Sequence, residues 1–202
     1  MKLILVIPAA CLLLSALACG PSMPVVKRID PNRQTDISGK WNDTDSRLVS
    51  EEMISDVMKN KWLSNFMLKS DGKKPRLIVG TIRNRTLEHI SIGTFVNDLE
   101  RTITNSGKAV FVASKTEREE VRDERLDQGV NASEETRKEP GKESGADYML
   151  KGEINSTVDS VDGLAAIFYQ INMTLIDLGN NEKVWIGEKK IKKVVERGAY
   201  SM

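Results

Sequence analysis

Cysteine is all but missing from this chain. The 202 residues hold only Cys11 and Cys19, both close to the N-terminus. Beyond Cys19 neither a disulfide nor a thiolate metal site can form, so a domain there must be held by its apolar core. Histidine is as scarce, with His89 alone, which is a weak basis for a metal site or for imidazole catalysis. A surplus of either charge is also lacking. The 30 Lys and Arg face 29 Asp and Glu, for a formal net charge of +1. That balance argues against a basic stripe for nucleic acid and against the high net charge of a disordered tail.

Catalytic motifs are missing as well. Gly72-Lys73-Lys74 lacks the preceding glycine and the following hydroxyl residue of a phosphate loop. There is no G-x-G-x-x-G, no G-x-S-x-G and no S-x-x-K. The acid pairs Glu51-Glu52 and Glu119-Glu120 have basic neighbours on expected helices. They read as solvated helix faces rather than as a glycosidase pair. The expectation is a protein without catalytic residues, metal or cofactor.

What is present begins with an address. Met1-Lys2 precedes an apolar run from Leu3 to Leu17, broken only by Pro8 and Ser15. The run is short for a membrane span and fits a secretory signal. It ends in Ser15-Ala16-Leu17-Ala18-Cys19-Gly20, small residues before a cysteine, which resembles a lipobox with Cys19 as the lipid attachment site. The alternative is an ordinary secretory signal with an incidental cysteine. Gly20 in place of an aspartate resembles lipoproteins sorted to an outer membrane. Gly20 to Asp36, with Pro21, Pro24 and Pro31, reads as a tether reaching at most about 60 Å at ~3.5 Å per residue.

At 40% hydrophobic residues the remainder can build one core. Asp43 to Leu63 reads as one helix, capped by Thr44 or Asp45, with Val49, Met53, Val57, Ile54, Met58 and Trp62 on a broad apolar stripe. Arg76 to Ile82 and Ala109 to Ala113 read as buried strands, flanking a helix over 93–106 that Gly107 ends in a left-handed cap. Ser114 to Asp127 reads as a charged surface helix with a Ser114/Glu117 capping box. A break follows at Gln128 to Asn131, then a further helix over 133–143 disturbed by Pro140-Gly141. Tyr148 to Val158, Ala165 to Leu178 and Glu182 to Val195 read as a meander, with turns at Asp162-Gly163 and Gly179-Asn180-Asn181. The expected fold class is α/β (α+β): a single mixed sheet of about five strands with helices packed on its apolar face.

Two aromatic or imidazole positions stay open at this level. Trp41, in the polar stretch Gly39-Lys40-Trp41-Asn42-Asp43, either folds back on the core or is offered to a partner. His89, in the polar segment after the first strand, either fixes that loop or serves an interface.

Taken together, Asp36 to Arg47 (DISGKWNDTDSR) resembles the opening segment of the LpoB family of penicillin-binding protein activators. Pro75 to Thr81, then Arg83-Asn84 and Glu88-His89-Ile90, Phe95 to Gly107, Val112-Ala113-Ser114 with Arg118-Glu119-Glu120, Gly145-Ala146-Asp147 and Asp177 to Lys190 fit the same family. The resemblance spans residues 36 to 195. It implies a domain similar to the N-terminal domain of TolB, on a lipoprotein of the outer membrane facing the periplasm. It further implies binding to a bifunctional (class A) penicillin-binding protein, a peptidoglycan synthase, and stimulation of its polymerising and cross-linking activities. No nucleic acid and no small-molecule substrate is expected. The expected layout is a signal peptide (1–18), a lipidated tether (19–36), the globular domain (37–196) and a tail (197–202). Polar residues at strand and helix ends without a core pattern mark the expected contact surface: Trp41, Asn42, Arg47, Arg83, Asn84, Glu88 and His89. The competing readings are a structural or transport-associated envelope lipoprotein related to curli secretion-channel components, and a wall hydrolase.

Overall fold

The computed structural model of the protein describes residues 26–196. The signal segment, Cys19 and the 197–202 tail lie outside the described residues. Contacts divide the chain between Arg33 and Gln34, and residues 26–33 hold no helix or strand. All the helices and strands of the described residues lie in the unit that begins at Gln34.

Helix α1 (Asp43–Lys59) starts at Asn42, not at Thr44 or Asp45. The Asn42 side chain accepts from the Asp45 amide, and the Asp45 carboxylate accepts from the Asn42 amide. This reciprocal box satisfies two donors that a helix start leaves open. The stripe expected as one helix is two. Asn60 turns extended at φ −72° and ψ 154°, closing α1 and capping α2 (Lys61–Lys69) through its side chain. Trp62 stays on the core because its indole donates back to the Val57 carbonyl at 2.7 Å.

Strand β1 (Arg76–Asn84) runs two residues past its expected end. Its register against β3 shifts between Val79 and Ile82, so Leu77 and Ile82 both face the core although five positions separate them. Such a bulge re-aims the residues beyond it. Helix α3 (Ile92–Asn105) puts Phe95, Leu99 and Ile103 into the core, and Gly107 ends it at φ +67°. Strand β2 is only Val110–Phe111, and Val110 is exposed. The expected five-residue buried strand is a short edge pairing instead. Helix α4 (Lys115–Asn131) has the expected Ser114/Glu117 box, buries none of its residues, and continues through the expected break at 128–131. No helix forms over 133–143, where Thr136 instead turns back to the Ser133 carbonyl.

Three long strands complete the sheet: β3 (Tyr148–Val161), β4 (Leu164–Asp177) and β5 (Lys183–Glu196). Asp162 and Gly163, both at positive φ, make the first tight turn, and Asn181 lies in the second. The sheet order is β2-β1-β3-β4-β5. β1 is parallel to both β2 and β3, and the β3–β4–β5 meander is antiparallel. The result is one mixed α+β sheet. α1 and α3 contact each other and the sheet, covering the face formed by Leu77, Leu150, Ile154, Tyr169, Ile171, Met173 and Leu175. The other face stays open and largely polar, with Gln170 donating to Glu188 at 2.6 Å.

α1 and β5 approach closely at one point. The Trp185 indole donates to Asp56 of α1 at 2.8 Å, and its ring lies over Gly187. A Cβ there would stand 2.2 Å from the Trp185 ring and 3.0 Å from the Met53 sulfur. Gly187→Ala should therefore overpack the α1–β5 seam and cost about 1–3 kcal/mol in urea unfolding. An unchanged midpoint would show that the seam can yield.

Candidate functional site

The segment from Gln34 to Ser46 crosses the core side of the sheet as a strap, and the loop after β1 locks it. Trp41 folds back rather than standing free. Its ring meets Tyr169 edge-on at 5.4 Å and 75°, and its indole donates to the Ser46 hydroxyl at 2.8 Å. Gly39 is pressed close to the sheet, since a Cβ there would lie 2.2 Å from Val195 and 3.0 Å from Ile167.

Glu88 is the lock. One carboxylate oxygen accepts the Trp41 amide at 2.9 Å, and the other accepts the Tyr169 hydroxyl at 2.6 Å. The same hydroxyl lies 3.3 Å from the Gly39 carbonyl. Tyr169 is fully buried. Burial, then the bond to Glu88 and the charges of Glu88 and Asp45, push its acidity far below ordinary phenol. It is therefore a permanent donor.

The loop that carries Glu88 is built from its own side chains. The Asn84 amide donates to the Glu88 carbonyl at 2.7 Å, and its oxygen accepts from the Thr86 amide and hydroxyl at 2.9 and 2.8 Å. Asn84 reaches this position because the β1 bulge reverses the side-chain phase, which also turns Arg83 outward, opposite Glu153 of β3. Arg85 lies 3.9 Å from that same Glu153.

A second lock sits beside the first. The Lys193 ammonium meets Asp45 at 2.6 Å and Asp36 at 3.1 Å, and also donates to the Lys40 carbonyl. Burial alone would lower the Lys193 pKa, but these two carboxylates outweigh it and raise the value. Hydrogen bonds from Gln34, Asn42 and Lys193 hold the Asp36 carboxyl down at about 2. Asp45, at 3% exposure, is thus a buried charge with a partner, as burial demands.

The residues expected from sequence at a contact surface fall into two groups. Trp41, Asn42, Asn84 and Glu88 are half-buried and spend their polar atoms within the strap and its loop. Arg83 and His89 are exposed, and Arg47 makes an i,i+4 pair with Glu51 at 3.3 Å. Leu87 was not singled out by sequence, yet it stands fully exposed at the loop tip. Its only signal is a large apolar residue among polar neighbours. Among the described residues no group of His, Cys, Asp and Glu could hold a metal, and no helix is long and apolar enough to cross a membrane.

This division has a measurable consequence. Glu88→Ala leaves the Trp41 amide without its acceptor and the buried Tyr169 hydroxyl with only the longer bond to the Gly39 carbonyl, and should cost ~2–3 kcal/mol in urea unfolding. Arg83→Ala and His89→Ala should each stay within about 0.5 kcal/mol. Equal costs at all three positions would contradict the division.

Comparison with known proteins places the chain in a family. The model of the peptidoglycan-synthase activator LpoB matches residues 45–191. Among solved structures, the LpoB C-terminal domain from Salmonella enterica aligns with TM-score 0.34 at 21% identity, over 66% of this chain and 95% of that one. The Escherichia coli domain gives 0.36 at 18%, over 65% and 93%. Lipoprotein GNA1162 from Neisseria meningitidis gives 0.36 at 10%, over 59% and 83%. No curated protein matches. Because the family match takes in α1 through most of β5, including Glu88, Tyr169 and the loop between Arg83 and Ile90, the chain belongs to the LpoB family of peptidoglycan-synthase activators.

Proposed function

We propose that this protein is a lipoprotein attached through Cys19 to the outer membrane, facing the periplasm, and that it binds and activates a bifunctional class A penicillin-binding protein without catalysing a reaction itself. The observation that carries this reading, beside the family, is the loop between Arg83 and Ile90. Its internal bonds and the Glu88 lock hold it in one shape. Arg83, Leu87 and His89 are left exposed on it. A loop ordered in advance loses little freedom on docking, which favours affinity. An apolar tip ringed by Arg83, Arg85 and His89 has the make-up of an interface anchor with a polar rim. Trp41, Asn42, Asn84 and Glu88 serve as positioning residues for this surface, and Arg47 borders it.

The tether limits where such contact can occur. Since the strap holds the chain from Gln34 onward, the tether from Gly20 to Arg33 reaches at most about 50 Å at ~3.5 Å per residue, so the synthase must extend toward the membrane that holds the lipid. An activator of this kind works by binding one state of the synthase better than another, since only differential affinity shifts an equilibrium.

The test is stimulation of glycan polymerisation by the purified class A synthase of the same cell. Arg83→Ala with His89→Ala, a pair chosen to spare the fold, should lower stimulation at least tenfold while the unfolding midpoint stays unchanged. Full stimulation by the double variant would remove the loop from the interface. No stimulation by the unaltered protein would remove the function.

A further inference from the structure

The end of the sheet away from the Arg83–Ile90 loop carries a groove of about 830 Å³, lying between α2, the start of β3 and the β4–β5 turn. Its floor is aromatic. Tyr148 packs edge-on against Trp62 at 5.0 Å and Phe66 at 5.6 Å. Strand pairing sets Asp177 directly opposite Tyr148, and Asp147 precedes it in the chain.

Two observations mark this groove as unfinished. Tyr148 is only 6% exposed, yet among the described residues its hydroxyl has no hydrogen-bond partner, and the oxygen is not sealed from solvent. Burial, with the charges of Asp177 and Asp147, raises the pKa of that hydroxyl, so it remains a donor beside two carboxylates. The second observation is electrostatic. Asp147 accepts the Arg76 amide at 2.7 Å and Asp177 accepts the Gly179 amide at 2.8 Å, each through one oxygen. Neither is ion-paired among the described residues, and neither are Lys61, Lys69 and Lys183 on the rim of the same groove. Opposite charges thus line one cleft without neutralising each other.

We propose that this groove binds a short peptide bearing both a free ammonium and a free carboxylate, the chemistry of an uncrosslinked peptidoglycan stem peptide. The ammonium lies between Asp147 and Asp177, the Tyr148 hydroxyl donates to a peptide carbonyl, and the rim lysines take the carboxylate. A polyanion would meet Asp147, Asp177 and Glu182, and a polycation the three lysines, so a ligand carrying both charges fits where either alone does not. The choice of a wall peptide as the source rests on the reading of the protein as an envelope activator. It gives the domain a place to register uncrosslinked wall at the end of the sheet remote from the proposed synthase contact.

The experiment titrates the full-length chain, purified in detergent, with a soluble disaccharide tetrapeptide released from peptidoglycan, and follows amide shifts and binding heat. Saturable binding with shifts at Tyr148, Asp177 and Gly179 is expected. Tyr148→Phe, which keeps the ring in place, should weaken it about tenfold, and so should acetylation of the peptide's free amine. Co-sedimentation with intact sacculi rich in uncrosslinked stems would assign the site to wall-attached stems. Binding of the soluble fragment without sedimentation would assign it to released fragments. Absence of saturation, unchanged affinity in Tyr148→Phe, undiminished binding of the acetylated peptide, or equal sedimentation with sacculi stripped of stems would each overturn the proposal. No synthase is present in this assay, so its failure leaves the activation reading intact, and loss of stimulation alone leaves the peptide site intact.

Discussion

The carboxylate of Glu88 joins three stretches that are far apart in the chain. Its two oxygens bind the Trp41 amide from the strap and the Tyr169 hydroxyl from the middle of β4, while its own carbonyl closes the loop through Asn84. A charged acceptor bonded to a buried hydroxyl is among the stronger neutral–charged pairs a fold can make. It also explains why the polar strap can lie on an apolar sheet face. The amide of Trp41 would otherwise need water, and the hydroxyl of Tyr169 would keep only its longer bond to the Gly39 carbonyl at full burial. The Trp41–Tyr169 edge contact adds roughly 0.5–1.5 kcal/mol in the same place.

One consequence is that stability and presentation share a loop. Glu88 and Asn84 face inward and hold; Arg83, Leu87 and His89 face outward and are offered. The β1 bulge between Val79 and Ile82 makes the partition possible, because a shift of one residue exchanges the two faces of a strand. Without it, Asn84 and Arg83 would trade places, and the loop would lose its internal acceptor while an arginine pointed into the strap. The neighbouring Lys193 cluster secures the other side of the strap through Asp36 and Asp45, so the segment is held at both edges.

Much of this was legible in the sequence, and the parts that were not have physical reasons. The alternation Tyr169, Ile171, Met173, Leu175 gave β4 its face, and Asp162-Gly163 gave its turn, since both are local signals. The Asn60 break was hidden because an asparagine in the middle of an apolar stripe is tolerated in helices, and only its extended backbone reveals the double cap. Ala-Val-Phe-Val-Ala has the pattern of a five-residue core strand, while the pairing of β2 with β1 extends over just two residues. At the site, Asn42-x-x-Asp45 could have been recognised from its capping-box spacing. Glu88 could not. Nothing local distinguishes a surface glutamate from one whose partners lie 47 and 81 residues away.

The central claim is that Glu88 and Tyr169 act as a coupled pair that fixes strap and loop together. A double-mutant cycle with Glu88→Ala and Tyr169→Phe, read by urea unfolding, measures that coupling directly. The account predicts a coupling energy of about 1.5 kcal/mol or more, because each substitution removes the same charge-assisted bond. Additivity of the two costs to within ~0.3 kcal/mol would contradict it.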